Sequence, residues 1–470
     1  MKKIAILAVL AAMVLGFAAS ASAVDLDAKG QFQFQMNIMD NTGSLIPNDK
    51  TTNNSNSEDD LNFWFRARTE FRFIANENLW AVLYTEYKNR LGDAHRNYSQ
   101  TGPTALDAGA NDEGLYVKRA YLQYRFPGTE VLTSAGIMSI NLPGAAAGSM
   151  VLGDADLGTF QMEAPITDQI ALAGAFVRVN DDSDGDVGTA NTNNKDELDI
   201  FYAAAPITID GLSATPYFAY SLIGKNTTAV AGLQGPAGNA LNKDATAWWL
   251  GTTFTLDMFD PIVFNADIVY GAVDANQKRN DRSGLLFDAS LAYTGLDFVQ
   301  PKLVFAYTTG EDDKTDNGSE RLPVVSNDWA FGTTYFGGSA LTSADMDSNE
   351  QVGFWTIGLS LEKISFFDKL SHDIHVLYVQ GTNDKDLVNS AAKYAAMTNI
   401  TANGDFLTSE DHVFEVDFNT NYQIYDELAA IVEFGYVDVD LDKGVWEDGA
   451  GQNVDFDPSL KFAIGLVYKF

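Results

Sequence analysis

Apolar and polar residues alternate along most of this chain, so successive segments of about ten residues sort their side chains onto two faces of an extended strand. In "QFQFQMNI", residues 31–38, Phe32, Phe34, Met36 and Ile38 share one face while Gln31, Gln33, Gln35 and Asn37 share the other. "LNFWFRARTEFRF" opposes Phe63, Phe65, Ala67, Thr69, Phe71 and Phe73 to Arg66, Arg68, Glu70 and Arg72. "HVFEVDFNTNYQIY" opposes Phe414, Val416, Phe418 and Tyr422 to Glu415, Asp417, Asn419 and Gln423. Such segments lie between short turns on one side and long polar loops on the other, the asymmetry of a transmembrane barrel with periplasmic turns and extracellular loops. Backbone groups in lipid must be paired, so the strands are expected to close into one antiparallel all-β barrel. Eight short turns, from 76–78 to 425–427, predict 18 strands, with 16 as the alternative. Some segments, "QIALAGAFVRV" at 169–179 among them, do not divide into a wet and a greasy face.

The two ends of the chain add a compartment. Lys2 and Lys3 precede an apolar run from Ile4 to Phe17 and the small residues Ala21 to Ala23, the layout of a secretory signal over residues 1–23. No linker divides residues 24–470, which are read as a single barrel domain. There is no cysteine, so disulfide frameworks and thiolate metal sites are excluded. With 64 acidic against 30 basic residues and a formal charge of −34, the surface is a poor match for nucleic acid.

The closing stretch "KFAIGLVYKF" puts Phe462, Ile464, Leu466, Tyr468 and Phe470 on one face. A terminal Phe after such a face resembles the assembly signal of bacterial outer-membrane barrels, and the chain from 24 onward resembles a general porin. Its length, loop texture and the segment "INLPGAAAGSMVLGDAD" at 140–156 are similar to the homotrimeric porins of sulfate-reducing deltaproteobacteria. The resemblance implies an outer-membrane homotrimer in contact with lipid and lipopolysaccharide, inserted by the barrel-assembly machinery and passing small hydrophilic solutes. It also implies that the loop after the fifth strand, 141–156, folds into the barrel.

Within that frame, Arg66, Arg68, Arg72, Arg90, Arg119 and Arg125 take inward positions and form a candidate basic wall, accompanied by Tyr121 and Gln123. Pairing with Glu70 and Glu86, or a place at the rims, is the competing account. Asp154, Asp156 and, on the following strand, Glu163 are candidate acids facing that wall across the constriction; an ordinary exposed loop is the alternative.

Other chemistry is thinner. Asn180, Asp182 and Asp184 have the spacing of a calcium loop but lack its closing Glu, which leaves calcium as the alternative to a solvated acidic loop. His372 and His375 point to opposite strand faces and cannot share a metal. Asp373 shares a face with His375, but no serine is placed beside them, so no catalytic residue is assigned and the chain is read as a channel rather than an enzyme. The expected function is passive diffusion of small hydrophilic solutes and ions with weak cation preference. A channel preferring sugars or anions is the main alternative, ahead of a barrel hydrolase or a structural barrel.

Overall fold

The computed structural model describes residues 24–40, 60–91, 114–181, 195–225, 227, 231–233, 243–314, 316–341, 352–387, 407–442, 444–445 and 458–470. The signal segment, Asp182 and Asp184, and the side chain of Arg90 lie outside the described residues.

Eighteen strands close into one antiparallel barrel. They are β1 Asp25–Asp40, β2 Asp60–Asn76, β3 Leu79–Arg90, β4 Gly114–Arg125, β5 Leu132–Ile140, β6 Ala155–Pro165, β7 Ala171–Asn180, β8 Leu198–Ala204 continued by Ile207–Ile209, and β9 Leu212–Ile223. The second half comprises β10 Ala245–Phe259, β11 Ile262–Asp274, β12 Arg282–Tyr293, β13 Gln300–Thr308, β14 Phe354–Phe367, β15 Leu370–Gly381, β16 His412–Tyr425, β17 Leu428–Asp440 and β18 Ser459–Lys469. Both pieces of β8 pair with β9, and Pro206, which has no N–H to give, falls in the break between them.

Each strand pairs with its sequence neighbours, and β1 pairs with β18 from Gln31↔Lys469 to Asp40↔Leu460, which leaves no free edge. The eight short turns read from the sequence all connect neighbouring strands. The outer surface is greasy, with Phe34, Leu122, Leu250, Phe287, Leu359 and Phe418 among its exposed residues, as a lipid-facing wall requires.

The inner surface is where the structure departs from simple alternation. It holds an apolar core of Val177, Ile200, Ala219, Ala247 and Trp249 from the wall with Met150, Leu152, Leu322, Val324, Trp329 and Phe336 from two inward loops. This explains why "QIALAGAFVRV" could not be divided: Ala173, Ala175 and Val177 face the interior yet pack against loop rather than water. Over these strands the lumen is therefore lined by apolar residues.

The terminal residue belongs to the closing seam. Phe470 and Gly30 exchange two backbone hydrogen bonds of 3.0 Å, and the Phe470 ring stacks on Phe32 at 5.8 Å and Tyr468 at 6.0 Å. Phe462, Ile464, Leu466, Tyr468 and Phe470 all face outward. Deleting Phe470 removes contacts worth about 2–3 kcal/mol, a loss the finished barrel is expected to survive. Refolding into detergent should therefore persist while outer-membrane yield in cells drops several-fold. Equal loss in both assays, or none in cells, would leave packing as the residue's whole role.

Candidate functional site: a lumen narrowed by two loops

Two loops leave the wall and cross the interior. The first, between β5 and β6, reaches β11, far around the circumference, where Asp267 accepts the Ala145 N–H at 2.9 Å and the Ala146 N–H at 2.8 Å. The second, between β13 and β14, runs past β12 and on to β16, β17 and β18. Asp288 on β12 accepts the Trp329 indole N–H. On β16, Glu415 accepts the N–H groups of Thr334 and Tyr335, both at 2.9 Å, and Asp417 accepts the Thr333 N–H at 2.8 Å and the Thr334 hydroxyl at 2.7 Å.

Glu433 on β17 accepts from Ala340 N–H at 2.9 Å and from Ser339 at 2.6 Å, and it pairs with Lys461 of β18 at 2.7 Å, both partners being buried. Lys461 also donates to the Thr333 carbonyl at 3.1 Å. A loop inside a barrel has no ladder partner for its N–H groups, and an unpaired buried N–H is costly, so wall carboxylates serve instead. Gly332 leaves room for this: a Cβ at that position would lie 2.5 Å from the Glu415 carboxylate, which would have to shift from the N–H groups it holds.

The two loops also join each other. Gly148 and Ser149 pair with Trp329 and Asp328, Val325 N–H donates to Val151 at 2.8 Å, and Ala330 N–H donates to Ala147 at 2.9 Å. Gly148 has φ +93 and its ideal Cβ would sit 2.0 Å from the Asp328 carbonyl oxygen, so both conformation and close approach demand glycine. Trp329 packs edge-on to Phe331 at 4.8 Å and to Phe336 at 5.0 Å.

Opposite this filling, the wall from β1 to β4 keeps accessible charge. Arg66, Arg68 and Arg72 face inward on β2, Lys29 on β1 and Arg119 on β4. Arg68, 24% exposed, pairs with Glu86, which also accepts the Tyr116 hydroxyl. Lys29 pairs with Glu70 at 3.1 Å, and Arg72, 42% exposed, lies 3.9 Å from the same carboxylate. Arg66 donates to Gln33 at 2.6 Å and has no carboxylate partner among the described residues, its buried Nε being unsatisfied. Rings back the charges: Arg119 lies over Tyr84 at 5.3 Å, Arg125 over Trp80 at 5.8 Å and Lys88 over Trp64 at 5.0 Å.

The acids read from the sequence sit elsewhere than expected. Asp154 and Asp156 do not face the basic wall across the opening; they bind it sideways. The β4–β5 ladder ends at Ala120↔Ile137, and above it Asp156 takes Lys118 at 2.7 Å and Arg119 at 2.5 Å, with Asp154 on Arg119 at 3.2 Å. Asp154 holds a left-handed φ of 38, a strained conformation for a residue with a side chain. Glu163 accepts from Gln161 near the short-turn end of β6, and Arg125 faces Glu130 at 3.9 Å beside another short turn. The pairing of Arg68 with Glu86 follows the competing account. Asn180 bonds the Asp181 N–H through its own side chain.

A serine does stand beside His375: Ser360 Oγ lies 2.8 Å from its Nδ1, with Asp417 the next partner in register. Sequence spacing alone could not place it, because β14 and β15 are registered through two bulges. Ser360 is fully buried and Asp417 is occupied by loop backbone, so the row has no access to a substrate. The wall anchors Asp267, Asp288 and Glu433 also went unread. Their signal was "NDWAFGTTYFGGSA" at 327–340, an aromatic run inside a long polar loop. Further out on that loop, burial and the charges of Asp312 and Glu311 push the Glu320 carboxyl above the usual range.

The fold is a closed 18-stranded barrel of the outer-membrane type, like that of the OprD/Occ channels. Outer membrane protein OprD from Pseudomonas aeruginosa is similar at TM-score 0.54 and 12% identity, with 96% of this chain and 95% of that one covered. OccK11 (OpdR) of the same organism gives 0.52 and 11%, covering 94% and 96%. OccAB3 of Acinetobacter baumannii also gives 0.52 and 11%, covering 94% and 100%. At such identity the likeness is one of fold. No family profile and no curated protein matches the sequence.

Two substitutions probe the basic wall. Arg68→Ala leaves Glu86 buried with only Tyr116 as partner, and is expected to lower stability by about 3 kcal/mol, read as an earlier urea midpoint. Glu86→Gln removes the charge that neutralises Arg68 and should move the reversal potential in a potassium chloride gradient toward anion preference. No movement would mean that this guanidinium does not face the permeant ions.

Proposed function

We propose that this chain is an outer-membrane diffusion channel that prefers small anionic solutes. The observation that carries the reading is the uneven lumen. The loops pack over the inner face from β7 to β18, while Lys29, Arg66, Arg68 and Arg72 on the remaining side face Glu70, Glu86 and, across from Arg72, Asp27. Arg66 brings a guanidinium with no carboxylate partner among the described residues, a charge that matches a carboxylate or phosphate group. A wide, unselective porin is less well supported, because its lumen would not be filled by an apolar core of loop residues. The likeness in fold to the OprD and Occ channels agrees with an outer-membrane diffusion channel.

Weak cation preference rests on the acidic outer loops, such as Asp312 and Asp313, whose field reaches only about 8–10 Å in ordinary salt. Those charges enrich cations at the mouth at low salt. The Arg wall acts at contact distance and sets the preference of the narrow part. Assembly as a homotrimer, implied by the resemblance to deltaproteobacterial porins, is part of the same proposal.

Planar-bilayer recording tests the reading. Well-folded protein is expected to give conductance steps, anion preference in high salt, and partial block by added small carboxylates but not by neutral sugars of similar size. Arg66→Ala removes about 1 kcal/mol of attraction near the wall, a factor of about five in relative anion permeability. Absence of steps would overturn the channel; equal permeability in wild type and variant would overturn the anion site. A monomer in native gels and light scattering would overturn the trimer.

A further inference from the structure

We infer that Trp329, held by Asp288, sets the aperture by locking both inward loops into one plate, so that the loop after β5 keeps its place only while the loop after β13 is fastened. The inference rests on the channel reading for its effect on conductance. The geometry is specific. The Trp329 indole N–H donates to Asp288, and Asp288 is the direct cross-strand partner of Asp267, which holds Ala145 and Ala146 of the other loop. Both fasteners therefore sit side by side on neighbouring strands.

Between them the loops are stitched by the Gly148–Ser149 and Asp328–Trp329 pairing, by a parallel bridge from Leu152 to Ser326, and by the Gly153 N–H donated to Ser326 at 2.8 Å. Apart from Asp154 at its base, which reaches Arg119, and the apolar packing of Met150 and Leu152 in the core, the first loop is held to the wall at Asp267, and its other described hydrogen bonds to a different element run to the second loop. The second loop has independent hold on β16, β17 and β18. The dependence is thus one-sided, with Trp329 at the joint.

The test uses Trp329→Phe, which deletes the indole N–H while keeping a ring against Phe331 and Phe336. Asp288→Asn is the rescue control, because its amide oxygen still accepts from the indole. Since the chain has no cysteine, Met150→Cys on the first loop supplies a single reporter thiol, buried in the parent fold. In the Trp329→Phe background, labelling by a water-soluble thiol reagent should speed up about tenfold or more, the response to a loss of ~1.4 kcal/mol in local closure. Single-channel conductance should rise in the same variant, and Asp288→Asn should resemble the parent in both.

A reporter that stays shielded in Trp329→Phe, while heat-modifiable gel mobility shows a folded barrel, overturns the inference. So does an Asp288→Asn variant as open as Trp329→Phe. Parent protein that never conducts while the labelling result holds would overturn the channel reading and leave the loop plate standing.

Discussion

Backbone hydrogen bonds that cannot be made to water decide how this molecule is built. In the wall they force closure, because a sheet edge facing lipid has no other partner. In the lumen the same demand falls on the two inward loops, which have no strand beside them over most of their length. Wall carboxylates meet it: Asp267, Glu415, Asp417 and Glu433 accept loop N–H groups, and Asp288 accepts the indole N–H of Trp329. These acids are thereby removed from the charge that a permeating solute meets.

Much of the shell was legible in the chain because a lipid-facing wall forces a period of two. Phe32, Phe34 and Ile38 face out, Gln33, Gln35 and Asn37 face in, and the short turns gave the strand number. The interior was legible only where the inner face is wet. On β7 to β10 the inner residues pack against loops, so both faces read as apolar and the pattern loses its contrast. The inward direction of Arg66, Arg68 and Arg72 followed from alternation. Their partners Glu70 and Glu86 were named only as the competing account, since which carboxylate reaches which guanidinium depends on cross-strand register, which an irregularity beside the turn shifts between β2 and β3, as with Arg68 and Glu86.

The loop after β13 shows the same limit from another side. A long connection between barrel strands is polar when it faces water, and this one carries Trp329, Phe331, Tyr335 and Phe336 within eight residues. Read by composition, that run marks a segment going indoors. Where it goes, and that Glu415 and Asp417 would receive it, depends on the barrel curving back on itself, a property no local window contains.

The parting of β4 from β5 gives the wall a different kind of seam. Below Ala120↔Ile137 the two strands are joined by directional hydrogen bonds that salt does not weaken. Above it, a bulge between Tyr84 and Thr85 gives β4 one extra residue, so that consecutive cations, Lys118 and Arg119, both reach Asp156. Cohesion there rests on charge-assisted side-chain contacts, whose Coulombic part is open to competition from dissolved ions. Ionic strength thus acts on this barrel as a local plasticiser: a brackish surrounding would loosen, and a dilute one stiffen, one patch of the wall beside the inward loop while the remainder of the shell stays indifferent.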